Sequence, residues 1–225
     1  MNPVTKKHLI KAAKKLENFL DNAAFVGGAI LHTYLPKNFK GQTRITYDLD
    51  MVIRLSHYGK LEALNDRLAT IGFYPDKESN VICRYTDGEL LLDVMPTKPE
   101  ILGFTNQWYE EGLDNKEWIY LDFGTSIPRF TLPYYLAAKW EAVKNRGKND
   151  WRTSKDMEDI ITIINFNALE KMDNSTNKVL EYLNESFREL IEHKNGREII
   201  LSHLSGVDRA NVDEIIRRIL DFSDG

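Results

Sequence analysis

The periodicity of the apolar residues changes once along this 225-residue chain, and that change limits the fold class more than any other feature. Up to about residue 130, short runs rich in Val, Ile and aromatic residues alternate with stretches of helical spacing. Past Pro133 only helical patterns follow, joined by short polar segments. The order is α/β first and all-α afterwards, so an α+β chain is expected, divided into residues 1–130 and 131–225. The junction is a change of composition with no Gly/Ser-rich tether, so the helical part is expected to pack on the first part and close a cleft.

Within the first part, residues 5–21 predict a helix, with Leu9, Ile10, Ala13, Leu16 and Leu20 at helical spacing. "AAFVGGAILHTYL" reads as a short strand, a Gly27-Gly28 turn and the start of a second helix. "YDLDMVIRL" is a strand and "YGKLEALNDRLATIGF" a helix. "VICRYTDGELLLDVMPT" predicts a hairpin turning at Asp87-Gly88. "EWIYLDFGTSIPRFTL" is a further strand, ended by Pro128 and Pro133. Helices are then expected at "YYLAAKWEAVKNR", "SKDMEDIITIINF", "NKVLEYLNESFRELIEH", "GREIILSHL" and "RANVDEIIRRILDF".

Several function classes drop out. No run approaches the roughly 18 apolar residues of a membrane span. The basic N-terminus forms an amphipathic helix and lacks a signal-peptide core. Cys83 stands alone, which suits a reducing compartment, and a soluble cytoplasmic protein is expected. A net charge of −4 argues against a charge-driven nucleic-acid coat. One window is basic: Lys139, Lys144, Arg146, Lys148, Arg152 and Lys155 face only Glu141 and Asp150 between 139 and 155. The histidines, at 8, 32, 57, 193 and 203, have no zinc spacing.

The chemistry is carried by "RITYDLDMVI". Positions 48 and 50 of a strand project to the same side, roughly 6.6 Å apart. Two carboxylates so placed can grip divalent ions lying about 3.5–4 Å apart, the arrangement of phosphoryl and nucleotidyl transfer. Mg²⁺ suits such oxygen ligands and completes its shell with water and phosphate. Asp93, in "LLLDVMP", is a third carboxylate in an apolar strand and would join them if its strand pairs beside theirs. The Gly27-Gly28 turn opens backbone N–H groups to a phosphate. Each feature has a structural alternative: exposed strand-start positions beside Arg44 or Arg54 for Asp48 and Asp50, a solvent face for Asp93, a plain turn for the glycines.

Together these residues resemble the polymerase-β-like nucleotidyltransferase superfamily: a strand, a Gly-Gly turn and helix, a D-x-D strand, and a later acidic strand. The matches are Gly27, Gly28, Asp48, Asp50 and Asp93. "KWEAVKNR" and "WRTSKDMEDI" look like the K-x-x-A-x-x-x-R and R-x-x-KD-x-x-D pattern of AbiEii/AbiGii-type nucleotidyltransferases, toxins of type IV toxin–antitoxin and phage-abortive systems. The likeness spans residues 20–165. Many relatives have Gly-Ser where this chain has Gly-Gly, and the segment from Gly27 to Asp48 carries the insert "PKNFKGQTR".

The resemblance implies a mixed sheet with helices and an Mg²⁺- or Mn²⁺-dependent transfer of NMP from NTP to an acceptor hydroxyl. Asp48, Asp50 and Asp93 would bind metal, with Asp93 as ligand or base. Lys139 would be catalytic, and Gly27, Gly28, Arg146, Lys155, Asp156 and Asp159 would bind substrate. It also implies an RNA acceptor, such as a tRNA 3′ end, and a cognate antitoxin. Lys139 can instead snorkel from a buried helix, Arg146 can complement a helix dipole, and Asp156 can belong to an N-terminal cap. Asp159 can be part of a solvated helix face. The rival functions are an antibiotic- or protein-modifying nucleotidyltransferase, and a non-catalytic nucleotide- or RNA-binding domain.

Overall fold

A computed structural model describes residues 3–39, 43–55, 59–122, 124–146, 150–166, 169, 172 and 177–224. The protein is α+β with a seven-stranded mixed sheet. Its chain divides into two compact units, one of Met1–Ile30 with Arg44–Thr131, the other of Leu31–Thr43 with Leu132–Gly225. The segment 31–43 thus groups with the helical unit.

The first unit begins with α1 (Lys6–Lys15), capped by Thr5, whose hydroxyl accepts from the His8 N–H while His8 Nδ1 accepts from the Thr5 N–H. The helix stops at Lys15 and a 3₁₀ segment, Glu17–Asn22, completes the predicted span. Then come β1 (Ala23–Val26), β2 (Asp48–Ile53), α2 (Gly59–Thr70), β3 (Tyr74–Pro75), β4 (Arg84–Thr86), β5 (Leu91–Pro96), α3 (Pro99–Leu102), α4 (Tyr109–Asp114), β6 (Lys116–Asp122) and β7 (Thr125–Phe130). The strand order is β3-β4-β5-β2-β1-β7-β6. β2 pairs parallel with β5 and antiparallel with β1.

Alternation along β2 separates two faces. Leu49, Met51 and Ile53 lie on one, with Tyr85, whose hydroxyl donates to Asn65 of α2. Asp48, Asp50 and Val52 lie on the other. On that second face, the Tyr109 hydroxyl of α4 meets Met95, and Gly112 presses so close to Phe130 that a Cβ would lie 2.5 Å from the ring.

Two predicted boundaries differ. Pro128 does not end a strand; it pairs with Trp118 inside β7. A proline removes one ladder donor, and β7 tolerates that because its other ladder, to β1, registers at the pair Phe25–Arg129. Pro133 does not end a strand either. It sits in the first turn of the next helix, where a missing N–H costs nothing. The segment after Gly27 is 3₁₀ over Gly28–Thr33.

The second unit holds α5 (Leu132–Arg146), α6 (Lys155–Asn165), α7 (Asn177–Glu192), α8 (Gly196–Ser202) and α9 (Val212–Asp224). Its core is aliphatic on α6, with Met157, Ile160, Ile161, Ile163 and Ile164 buried, and aromatic where Trp140 packs edge-on to Trp151 and Phe187. Arg218 of α9 donates to the Ile164 and Asn165 carbonyls, satisfying acceptors that the end of α6 leaves open. Among the described residues, no helix is long and apolar enough to cross a membrane.

Candidate active site

The registers of four strands set Val26, Asp50, Asp93 and Arg84 in one row across the first unit's sheet. Val26 pairs with Asp50, Asp50 with Asp93, and Asp93 with Arg84. Paired residues in a sheet share a face, so Asp50, Asp93 and Arg84 project together, and Asp48 joins them two residues back along β2. The local sequence explains the exposed end of this face. β2 opens with its polar residues and turns apolar at Met51, so the carboxylates stand where β1 ends and β2 begins.

Arg84 binds two of the three carboxylates. Its Nε donates to Asp93 Oδ1 at 2.7 Å, and its Nη2 donates both to Asp93 Oδ2 at 2.7 Å and to Asp48 Oδ2 at 2.8 Å. The remaining Asp48 oxygen, Oδ1, accepts from the Thr46 hydroxyl at 3.1 Å. The fork on Asp93 is the bidentate geometry that makes Arg–carboxylate pairs strong and directional. The hydrogen bonds to Asp93 hold the guanidinium above the usual arginine range, helped by the charges of Asp93, Asp48 and Asp50. Burial pushes the neighbouring Cys83 thiol up to about 11, with the Asp93 charge adding to it, so Cys83 stays a thiol at neutral pH.

The two glycines are explained by what lies over them. Gly27 has a φ of +71°, and a Cβ there would sit 1.8 Å from Asp50 Oδ2. Backbone conformation and space both demand glycine at that position. At Gly28 a Cβ would lie 2.3 Å from Nη2 of Arg44. The turn therefore lets the main chain touch an aspartate at one residue and an arginine at the next.

Asp48, Asp50 and Asp93 are hard oxygen donors on one face of adjacent strands, the donor chemistry that Mg²⁺ or Mn²⁺ prefers. Asp48 and Asp93 share Arg84 as a partner in this arrangement. Among the described residues, no group of three or more potential ligands is gathered tightly enough to hold an ion as the side chains stand.

A second cluster lies in the helical unit. Lys139 of α5 is 6% exposed and Asp159 of α6 fully buried. Lys139 Nζ lies 2.8 Å from Asp156 Oδ1 and 2.7 Å from Asp159 Oδ2. Burial lowers the lysine's pKa, but the charges of Asp159 and Asp156 outweigh that and hold it above the ordinary lysine range. Ser154 caps α6 by accepting from the Met157 N–H, which sets Asp156 in the first turn and Asp159 one turn on, facing α5.

The predicted site residues thus fall into two groups. Asp48, Asp50, Gly27, Gly28 and Asp93 meet on the sheet; Lys139, Asp156 and Asp159 meet between α5 and α6. Arg146 and Lys155 are exposed and belong to neither cluster. The basic window is largely consumed internally: besides Lys139, Lys144 pairs with Glu189 at 3.0 Å and Arg152 with Asp150 at 2.9 Å. Lys148 and His57 lie outside the described residues.

Arg84 is the functional candidate that sequence reasoning missed. A two-residue Asp-Gly turn would set Arg84 opposite Leu91. The loop instead has four residues, Asp87–Leu90, between the pair Thr86–Leu91, and this sets Arg84 opposite Asp93. The Asp87 carboxylate holds that loop, accepting from the Glu89 and Leu90 N–H groups and pairing with Lys15 at 2.6 Å. Only Glu89 separates the Asp-Gly pair from the apolar run that starts at Leu90, so the sequence carries no local signal for the longer loop.

No protein-family model matches this chain, and no curated protein matches it.

Proposed function

We propose that the carboxylate row is the centre of a polymerase-β-like nucleotidyltransferase, which moves NMP from NTP to an acceptor hydroxyl and releases pyrophosphate. The observation that carries this reading is the register: Asp50 and Asp93 face each other on parallel strands, Asp48 shares their face, and the Gly27 turn abuts Asp50. In this reading Asp48, Asp50 and Asp93 hold Mg²⁺ or Mn²⁺. A bound ion supplies Lewis-acid charge to the transferring phosphoryl group. Asp93 takes the proton of the attacking hydroxyl. The acceptor oxygen bonds to the α-phosphorus as the bond to the β-phosphate oxygen breaks, and pyrophosphate departs. In this reading the Gly27-Gly28 turn, against which Asp50 and Arg44 pack, borders the triphosphate.

The acceptor we propose is RNA, tRNA above all, in a toxin whose action a cognate antitoxin restrains. Its support is the likeness of "KWEAVKNR" and "WRTSKDMEDI" to the AbiEii-type pattern. Arg146 and Lys155, two exposed cations of the 139–155 window, serve an RNA backbone in this reading. Lys139 supplies positive charge between α5 and α6, pairing with Asp156 and the buried Asp159.

The test is transfer of α-³²P label from each of the four NTPs, with Mg²⁺, into total tRNA, comparing wild type with Asp48→Ala. Label with wild type alone is the expected result, and it names the nucleotide. Absence of label from every NTP removes the tRNA acceptor. A second reading, a domain that binds nucleotide without turning it over, is favoured by one observation: Arg84 already engages Asp48 and Asp93. Nucleotide binding with no metal-dependent turnover on any acceptor would select it.

A further inference from the structure

We propose that Arg84 is the resident counter-cation of the carboxylate row, and that a divalent ion enters by displacing its guanidinium from Asp48 and Asp93. The proposal rests on the reading of these carboxylates as a metal centre.

Arg84 takes three of the four oxygens of Asp48 and Asp93, and Thr46 takes the fourth. Nη2 lies between the two carboxylates, within 2.8 Å of each, and so occupies the space through which an ion held by Asp48 and Asp93 would enter. A guanidinium and a divalent cation cannot share that position, because both are drawn by the same lone pairs and repel each other. The guanidinium has a way out. The Arg84 side chain is 17% exposed and that of Asp48 33%, so the pair borders solvent. Arg84 is the first residue of a three-residue strand, and beyond the buried Cys83 the preceding Val81 and Ile82 are exposed. Guanidinium is also weakly hydrated, so an arginine resides beside carboxylates at a lower desolvation cost than a lysine.

The arrangement keeps the metal-free row from self-repulsion. Carboxylates on one face of paired strands would otherwise repel each other across the β2–β5 pairing. The consequence is a metal affinity reduced by the work of parting Arg84 from its partners.

The experiment is an equilibrium titration with Mn²⁺, followed by the EPR signal of the free ion, on full-length wild type and Arg84→Gln, together with melting curves with and without Mn²⁺. Arg84→Gln is expected to bind Mn²⁺ at least about tenfold more tightly, since freeing the carboxylates recovers on the order of 1.4 kcal/mol. It is also expected to melt below wild type without metal, and Mn²⁺ should raise its melting temperature more than that of wild type. Equal or weaker Mn²⁺ binding by Arg84→Gln overturns the role of Arg84 and leaves the metal centre standing. Absence of Mn²⁺ binding from both proteins overturns the metal centre itself, and this proposal with it. Should Arg84→Gln fail to fold, Arg84→Lys keeps the charge but loses the fork. Tightening of a few-fold supports the displacement, and no tightening overturns it.

Discussion

The two charged clusters are built from the same chemistry, basic side chains against aspartates, and differ in access to water. On the sheet, Arg84, Asp48 and Asp93 keep side-chain exposures of 17%, 33% and 10%. Between α5 and α6, Lys139, Asp156 and Asp159 keep 7%, 16% and 0%. Sealed ions must be matched where they lie, since no water can replace a lost partner. Ions bordering solvent can exchange theirs. The cluster around Lys139 and Asp159 is thus the more enclosed of the two, and the one around Arg84 and Asp48 the freer to exchange its partners.

The sharpest way to break this comparison is to remove one partner from the sealed cluster. Lys139→Met removes the cation shared by Asp156 and the buried Asp159, and a loss of about 3–5 kcal/mol is expected in urea unfolding. Replacing Lys139, Asp156 and Asp159 together by Met, Leu and Leu should recover most of that loss. If Lys139→Met unfolds like wild type, the cluster is not the structural element argued for.

Next in size is the turn. Gly27→Ala should lower stability by about 1–3 kcal/mol from the left-handed backbone alone, and displacing the Asp50 carboxylate adds to it. Gly28→Ala should cost less, because the atom it meets is the far end of the Arg44 side chain. Thermal melts of the two variants decide the order, and a reversed order would mean that the Asp50 contact is slack.

The Asp87 loop connects stability to the register of Arg84. Burial raises the Asp87 pKa, but the Lys15 hydrogen bond and the Leu90 and Glu89 N–H groups lower it to about 2, from an ordinary 3.8. A depressed carboxylate stabilises fully above its unfolded pKa and loses that contribution as pH falls through the folded value. Stability should fall between pH of about 4 and about 2, and Asp87→Asn should flatten that part of the profile. A profile unchanged by Asp87→Asn would remove the carboxylate from the loop's support. The smallest effect is expected from Arg146→Ala and Lys155→Ala, whose exposed side chains should leave stability within about 0.5 kcal/mol of wild type. A larger drop in either would show a structural contact.

Much of this was legible because it depends on local period. The two-residue repeat of β2 places Asp48 and Asp50 on one side whatever surrounds them. The helical spacing after Pro133 predicts α5 to α9 within a few residues, because each needs only its own apolar stripe. The same local reading failed at Pro128 and Pro133. A proline reports a missing donor but not whether a partner needed it.

The sequence by itself determined the class of the chain, α/β then helical, and the presence of carboxylates on one side of an apolar strand. Tertiary structure alone decided what faces them. Asp93 reaches Asp50 because β5 pairs in parallel with β2, a contact between segments more than 40 residues apart. Arg84 reaches Asp93 because the hairpin loop has four residues where the Asp-Gly signal suggests two. Lys139 meets Asp156 and Asp159 because α5 and α6 pack side by side. Local periodicity sets which side of its own element a residue occupies; the partner it meets there is set by register and packing, which depend on distant parts of the chain.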